Sequence, residues 1–221
     1  MPRYELRLTL PDHPGALGTV AQALGHAGAN IVSFEAVDVD GDTAVDQILV
    51  DLSGTAVPAV QAGLAGLADV HVEVFRPVQQ RPVFDGPLEL VEALVRAEPD
   101  AVLQTLVDGM PSTLRVHWAV VVTPREPQPL RLAASVGAPS MVEAKTPWLP
   151  LPETRPLVAG ASWVPGRWGL DADEAAVAAA PLDPTGTRAL LVVRKQGPAF
   201  RRRELRTLAG VALVAGRLTG D

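Results

Sequence analysis

The sequence predicts an α+β chain built as two modules, a βαββαβ unit followed by a second α+β unit. Three observations predict it. Tyr4, Leu6, Leu8 and Leu10 alternate with Glu5, Arg7 and Thr9, the period of a strand with one buried face. The period then becomes helical at Leu17, Val20, Ala21 and Leu24, and the two periods trade places until about residue 76. Past Pro77, Gln79-Gln80 and Pro82 the pattern starts afresh, and it ends on a long amphipathic stretch at 200–217. The expected division is a first domain at 1–76, a linker at 77–84 and a second domain at 85–221.

In the first module, Asp12 stands where it can cap the helix after the first strand. Pro14 fits that helix's first turn, where a missing N–H costs nothing. Gly28 is a C-terminal stop, and Asn30-Ile31 opens a strand predicted over 31–37. Asp40-Gly41 marks a hairpin within a polar loop at 38–42. The return strand at 44–52 sets Ile48, Val50 and Leu52 on one face. Ser53-Gly54 breaks it, and Thr55 is placed to cap a second helix with Val60, Leu64 and Leu67 on one side. Val70, Val72 and Val74 alternate with His71 and Glu73 as the fourth strand. The order βαββαβ predicts a ferredoxin-like arrangement with both helices on one sheet face.

Asp12-His13-Pro14-Gly15-Ala16-Leu17 after the first strand, with Gly28-Ala29-Asn30-Ile31 at the second, resembles the hallmark of an ACT domain. That family is a regulatory module that commonly binds amino acids. The resemblance covers about residues 1–76. It implies a ligand held between this turn and the second strand of a neighbouring ACT domain, with Asp12, Gly15, Ala16, Leu17, Asn30 and Ile31 as the contacts.

The chemistry of the turn agrees with this. A helix N-terminus presents unpaired N–H groups and a partial positive charge, which favour an anion such as an α-carboxylate. Gly15 has no side chain to obstruct approach. Asp12 offers a carboxylate to an α-ammonium, and Asn30 both donates and accepts. The same residues have a purely structural reading beside the functional one: Asp12 capping, Gly15 permitting close packing, Asn30 accommodating an unusual turn angle. His13 and His26 are expected to be exposed, with no third ligand at metal-binding spacing.

In the second module Leu88, Val91, Leu94 and Val95 predict a helix. Pro99 fits the first turn of another, carrying Val102, Leu103 and Leu106 and ended by Asp108-Gly109-Met110-Pro111. A strand at 114–123 is largely apolar and β-branched, so buried on much of both faces. Pro124, Pro127 and Pro129 turn the chain into a strand at 130–136. The irregular region 140–181 is expected to hold a short strand near 157–161 and an alanine-rich helical turn near 172–180. A strand at 187–195 and a helix at 200–217 close the chain, the helix with Leu205, Leu208, Ala209 and Ala212 on one face.

This succession of opening helix, two-strand hairpin, variable middle, late strand and closing helix resembles a GAF domain, a sensor module related in shape to PAS domains. Lys195, Phe200 and Glu204 resemble a motif near the end of some GAF domains in which a lysine pairs with an acid. Arg194 stands where that motif has asparagine. The resemblance implies a pocket between the sheet and the variable middle. Trp148, Trp163, Trp168 and Arg167 lie in that middle, and aromatic walls with one cation could hold a small organic anion. The plainer reading has the tryptophans filling core. His117 is expected to be a hydrogen-bonded core histidine. Arg201-Arg202-Arg203 reads as a solvated face or a contact for an acidic partner.

Composition narrows the function. With 221 residues, 48% of them hydrophobic, the chain has material for packed cores. No apolar run approaches the roughly 20 residues of a membrane-spanning helix, and no signal-peptide pattern opens the chain. Cysteine is absent, which excludes disulfides, thiol catalysis, cysteine metal sites and an attached bilin, and fits a cytoplasmic protein. A formal charge of −6 argues against nucleic acid as a partner. No nucleophile elbow, phosphate-cradling loop or helical metal-ligand pair is present, and Asp171 and Asp173 fall in a loop, so no enzyme, metal or cofactor is expected. The expectation is a non-catalytic regulatory sensor that binds an amino acid or related small molecule at an ACT dimer interface. The alternative is a homodimeric module that docks a protein partner without any small ligand.

Overall fold

In the computed structural model, which describes residues 2–78 and 86–220, the opening alternation forms strand β1 (Arg3–Pro11). The helical period that follows forms α1 (Ala16–His26). A tight reversal ends it: Gly28 adopts φ 78, its N–H bonds to Gly25, and the Ala29 N–H reaches back to Leu24. This is the Schellman geometry that glycine permits. β2 (Asn30–Asp40) and β3 (Thr43–Asp51) follow, then α2 (Val57–Ala65) and β4 (His71–Pro77). The β2–β3 loop is shorter than the expected 38–42, because pairing continues to Asp40↔Thr43 with Gly41 at φ 59 in the turn. Thr55 does not cap α2. It lies in a 3-10 turn ahead of it, where its hydroxyl meets that of Ser53.

The first sheet is antiparallel in the order β2-β3-β1-β4, the ferredoxin-like arrangement. Leu6, Leu8 and Leu10 join Ile48, Val50 and Leu52 under Val20, Leu24, Val60 and Leu64, so both helices cover one face. The other face is mixed, with Val45 and Leu49 beside a polar cluster. There Arg76 pairs with Glu5 at 2.9 Å and Arg7 with Glu73 at 3.1 Å, while Gln47 donates to Glu5 at 2.6 Å.

The chain divides into two compact units, 1–81 and 82–221. Of the expected linker at 77–84, Pro77 is the last residue of β4, opposite Tyr4. The 79–84 part of it lies outside the described residues.

The second unit opens with α3 (Pro87–Arg96) and α4 (Val102–Thr113). Leu90 and Leu94 form the buried stripe of α3, whereas Leu88 and Val95 are exposed. The proline at 111 does not end α4. It falls in the last turn, where one backbone bond is lost, and buried Met110 and Thr113 hold that turn on the core. Then come β5 (Trp118–Thr123), β6 (Leu130–Ala134), β7 (Arg155–Leu157), β8 (Ala176–Pro181), β9 (Ala189–Arg194) and α5 (Arg202–Leu218).

The alanine-rich stretch near 172–180 is therefore not a helical turn but β8. It is hydrogen-bonded between β7 and β9, with every residue from Ala176 to Ala180 buried. Small side chains suit a strand covered on both faces, and that packing overrides alanine's helical preference. The sheet is antiparallel in the order β6-β5-β9-β8-β7. Ala119, Val121, Leu190 and Val192 meet α3, α4 and α5 on one side. Trp118, Val120, Leu191 and Val193 meet Trp148, Trp163 and Trp168 of the irregular segment on the other. Gly216 lets α5 seat on the backbone after β8, since a Cβ there would meet the Leu182 carbonyl oxygen at 1.8 Å. No helix among the described residues is long and apolar enough to cross a membrane.

Candidate functional site

The turn from Pro11 to Ala16 leaves the end of β1 and enters α1. Asp12 is held by its backbone, whose N–H donates to the Asp42 carbonyl at 2.8 Å. The Ala16 N–H bonds to His13 at 3.2 Å, and the Thr19 N–H makes the first helical bond to Gly15 at 3.1 Å. Gly15 is the residue before the helix, and it adopts φ 94. This left-handed angle is what glycine supplies here. An added Cβ would meet nothing within 4 Å, so close packing is not the reason for it.

Asp12 does not cap α1. The helix begins four residues later than Asp12, no side chain caps it, and Pro14 lies in the turn rather than in the helix. The amides of Leu17 and Gly18 accordingly take no partner among the described residues. Gly15 and Gly18 are exposed, Leu17 is half-buried and Ala16 is buried. These are two open donors at the positive end of a helix, with the exposed carboxylate of Asp12 beside them.

Asn30 and Ile31 are not part of this cluster within one chain. Asn30 begins β2 opposite Asp51, which in turn faces Arg3 at the start of β1. The turn at 12–15 follows the far end of β1, where Pro11 faces Thr43. Asn30 has regular strand pairing, so it accommodates no unusual backbone angle. β2 is an edge strand, and Ile31, Val32, Phe34 and Val39 on it are exposed by 38%, 41%, 45% and 55%.

Asp46 is a buried acid that the sequence reading did not single out. It lies in β3 directly between Leu8 of β1 and Ala36 of β2, on the helix-covered face. Its neighbours on that face of β3 are Ala44 and Ile48, both buried. Asp46 is 4% exposed, and its carboxylate makes no hydrogen bond or ion pair among the described residues. Burial pushes its carboxyl above the usual carboxylate range, and the charge of Asp12 pushes it further the same way. The signal was present in the sequence: one acid on a stripe otherwise made of Ala44, Ile48, Val50 and Leu52.

In the second unit the tryptophans form a chain of edge-on contacts. Trp118 meets Trp168 at 5.3 Å, Trp168 meets Trp163 at 6.1 Å, and Trp163 meets Trp148 at 5.9 Å. The Trp168 indole donates to the Ser140 carbonyl at 3.1 Å, whereas the indole N–H groups of Trp118 and Trp148 are buried and meet no acceptor among the described residues. Arg167 does not stand among the rings as a free cation. It donates to the Val142 carbonyl and pairs with Glu143 on the surface.

His117 is exposed just ahead of β5, not in the core, and its Nδ1 accepts from the Lys195 amide at 3.0 Å. Lys195 does not pair with Glu204. Arg194 does, at 2.7 Å, because it is Arg194 that points inward beneath α5. Glu204 also accepts from the Arg201 amide at 2.8 Å, which closes the first turn of α5.

No family model matches the sequence, and no curated protein matches it. Solved structures do resemble it. A GAF domain from an Acinetobacter phosphoenolpyruvate-protein phosphotransferase aligns at 14% identity and a TM-score of 0.50, covering 60% of this chain and 89% of that one. The second unit has a GAF-like fold. The GAF domain of the corresponding Coxiella burnetii protein aligns at 9% identity and a TM-score of 0.47, covering 59% of this chain and 88% of that one. A GAF domain of A. aeolicus nlh2 in an inactive state aligns at 13% identity and a TM-score of 0.45, covering 60% and 91%.

Proposed function

We propose that the chain is a non-catalytic regulatory protein whose first unit is an ACT domain, binding an amino acid or related small molecule at the interface of a homodimer. The observation that carries this reading is the pair of open amides at Leu17 and Gly18, behind a glycine held at φ 94. Donors in that arrangement suit a carboxylate and have no structural partner to serve.

The strand register supplies the rest. β2 runs antiparallel to β3, so its Asp40 end lies beside the 12–15 turn and its Asn30 end lies far from it. Two β2 edges paired antiparallel about a two-fold axis would set Asn30 and Ile31 of one copy beside the turn of the other. One site would then draw Asp12, Gly15, Ala16 and Leu17 from one chain and Asn30 and Ile31 from its mate. In this reading the GAF-like unit carries the response, and the partners are a small molecule and a second copy, with neither nucleic acid nor membrane involved.

The test is a thermal-shift and calorimetric screen of the common amino acids against the full chain and against an Asp12→Ala/Asn30→Ala double variant. A saturable rise in Tm with at least one amino acid, lost in the variant, is expected. Absence of a rise with every amino acid overturns the reading.

A second reading is favoured by the exposed row Ile31, Val32, Phe34 and Val39 on an unpaired edge. Such an edge invites pairing with another strand whether or not a ligand is present. Here the first unit only dimerises, and the second docks a protein partner. A dimer whose dissociation constant ignores every amino acid tested would favour it.

A further inference from the structure

We propose that Asp46 is the ammonium-binding group of the first unit, and that the ligand is a free α-amino acid whose amine is not acylated. This rests on the reading of the 12–17 turn as a ligand site.

Asp46 is placed as no structural role requires. It occupies the helix-covered face of β3 at a rank where Leu8 and Ala36 flank it. A leucine or valine there would extend the core. The Asp46 oxygens keep a narrow opening to solvent but make no hydrogen bond among the described residues, so the carboxylate sits there with most of its hydration lost. Burial and the nearby charge of Asp12 both act against its ionisation. A cation set between Asp12 and Asp46 reverses both effects at once, since each carboxylate then gains an opposite charge.

Position says what kind of cation. Along β3, Asp46 lies toward the end at which β1 gives way to the 12–15 turn, because Leu10 faces Ala44 and Pro11 faces Thr43. The turn's open amides receive an anion, and the two acids receive a cation a short way off. A small zwitterion carries both charges on adjacent atoms. A metal ion is the poorer fit, since no third carboxylate or histidine joins the pair among the described residues, and hard divalent cations take about six oxygen ligands.

The experiment uses the full chain. Each L-amino acid that raises Tm is compared by calorimetry with its own N-acetyl derivative, on the wild type and on Asp46→Asn. N-acetylation keeps the carboxylate and removes the ammonium. Asp46→Asn keeps the shape and removes the charge. Each change is expected to weaken binding about tenfold or more, the loss of one charge-assisted contact. Asp46→Asn is also expected to raise the Tm of the unliganded protein, because it removes the buried charge. Equal binding of the N-acetyl derivative, or undiminished binding by Asp46→Asn, overturns the inference and leaves the turn reading standing. A lower unliganded Tm in Asp46→Asn assigns the residue a structural role and overturns it too. No rise with any free amino acid removes the turn reading and this inference together.

Discussion

Gly15 and Asn30 stand at opposite ends of α1, an 11-residue helix about 16 Å long. No single small ligand touches both in one chain, so a site that uses both is built from two copies. Mixing tests this directly. In the proposed dimer, an Asp12→Ala chain and an Asn30→Ala chain would each pair with themselves with both sites damaged. Their heterodimer restores Asp12 and Asn30 together at one of its two sites and lacks both at the other. Calorimetry on the mixture should recover tight binding that neither variant shows alone. Failure to recover any would mean that the two residues do not share a site.

The β2 edge makes a separate prediction. Phe34 is 45% exposed at that edge and lies opposite buried Ile48, so Phe34→Glu costs the monomer on the order of 1 kcal/mol. In the proposed two-fold edge pairing it would bring like charges close together. Sedimentation velocity should show a dimer for the wild type and a monomer for Phe34→Glu, with the variant still folding in one cooperative transition lowered by only several degrees. A variant that stays dimeric would shift the interface away from β2.

Arg194 and Glu204 fix the closing helix of the second unit. Arg194 Nη2 reaches Glu204 at 2.7 Å and the Leu114 carbonyl at 2.9 Å, and its guanidinium lies 4.5 Å from the centre of the Phe200 ring. Removing one member of a buried pair strands the other's charge, at about 3 kcal/mol or more. Glu204→Ala should lose that much, and Lys195→Ala should change stability by less than about 0.5 kcal/mol. All four tryptophans of the chain lie in the second unit, so urea unfolding followed by indole fluorescence reports this unit alone. Equal losses in the two variants would return Lys195 to the pairing.

These residues also mark where the sequence could be read. β1, α1 and the order of the first unit were legible because Leu6, Leu8, Leu10, Val20 and Leu24 keep clean periods. The 12–15 turn was legible as a turn, but not the role of Asp12, because capping depends on where the helix starts, and one residue's φ at Gly15 moved that start to Ala16. β8 was misread as helical because five small residues carry no period, and only their neighbours β7 and β9 decide their state. Arg194 and Lys195 are adjacent, so the choice between them turns on one residue of register in β9. Asp46 was visible as an exception on an apolar stripe, but its lack of a partner is a three-dimensional fact.

Asp183 offers a pH dependence with a definite sign. Burial alone would push its carboxyl up, but the Thr185 hydroxyl, the amides of Arg188 and Thr187, and the Arg188 guanidinium outweigh that and hold it down at about 2, below the ordinary 3.8. The Arg188 amide reaches it at 2.6 Å and the Thr187 amide at 3.1 Å, closing the loop between β8 and β9. A depressed carboxyl stabilises the fold when ionised. Its contribution is complete above about pH 4 and is lost as pH falls through about 2. At about 1.4 kcal/mol per pH unit, the interval is worth on the order of 2 kcal/mol. Other carboxylates titrate over the same range, so the informative quantity is the gap between wild type and Asp183→Asn. Urea unfolding followed by tryptophan fluorescence should show a gap of about 2 kcal/mol at pH 6 that narrows steadily from pH 4 toward pH 2. A gap that stays constant across that range would mean that shape alone, not the ionised carboxylate, holds the loop.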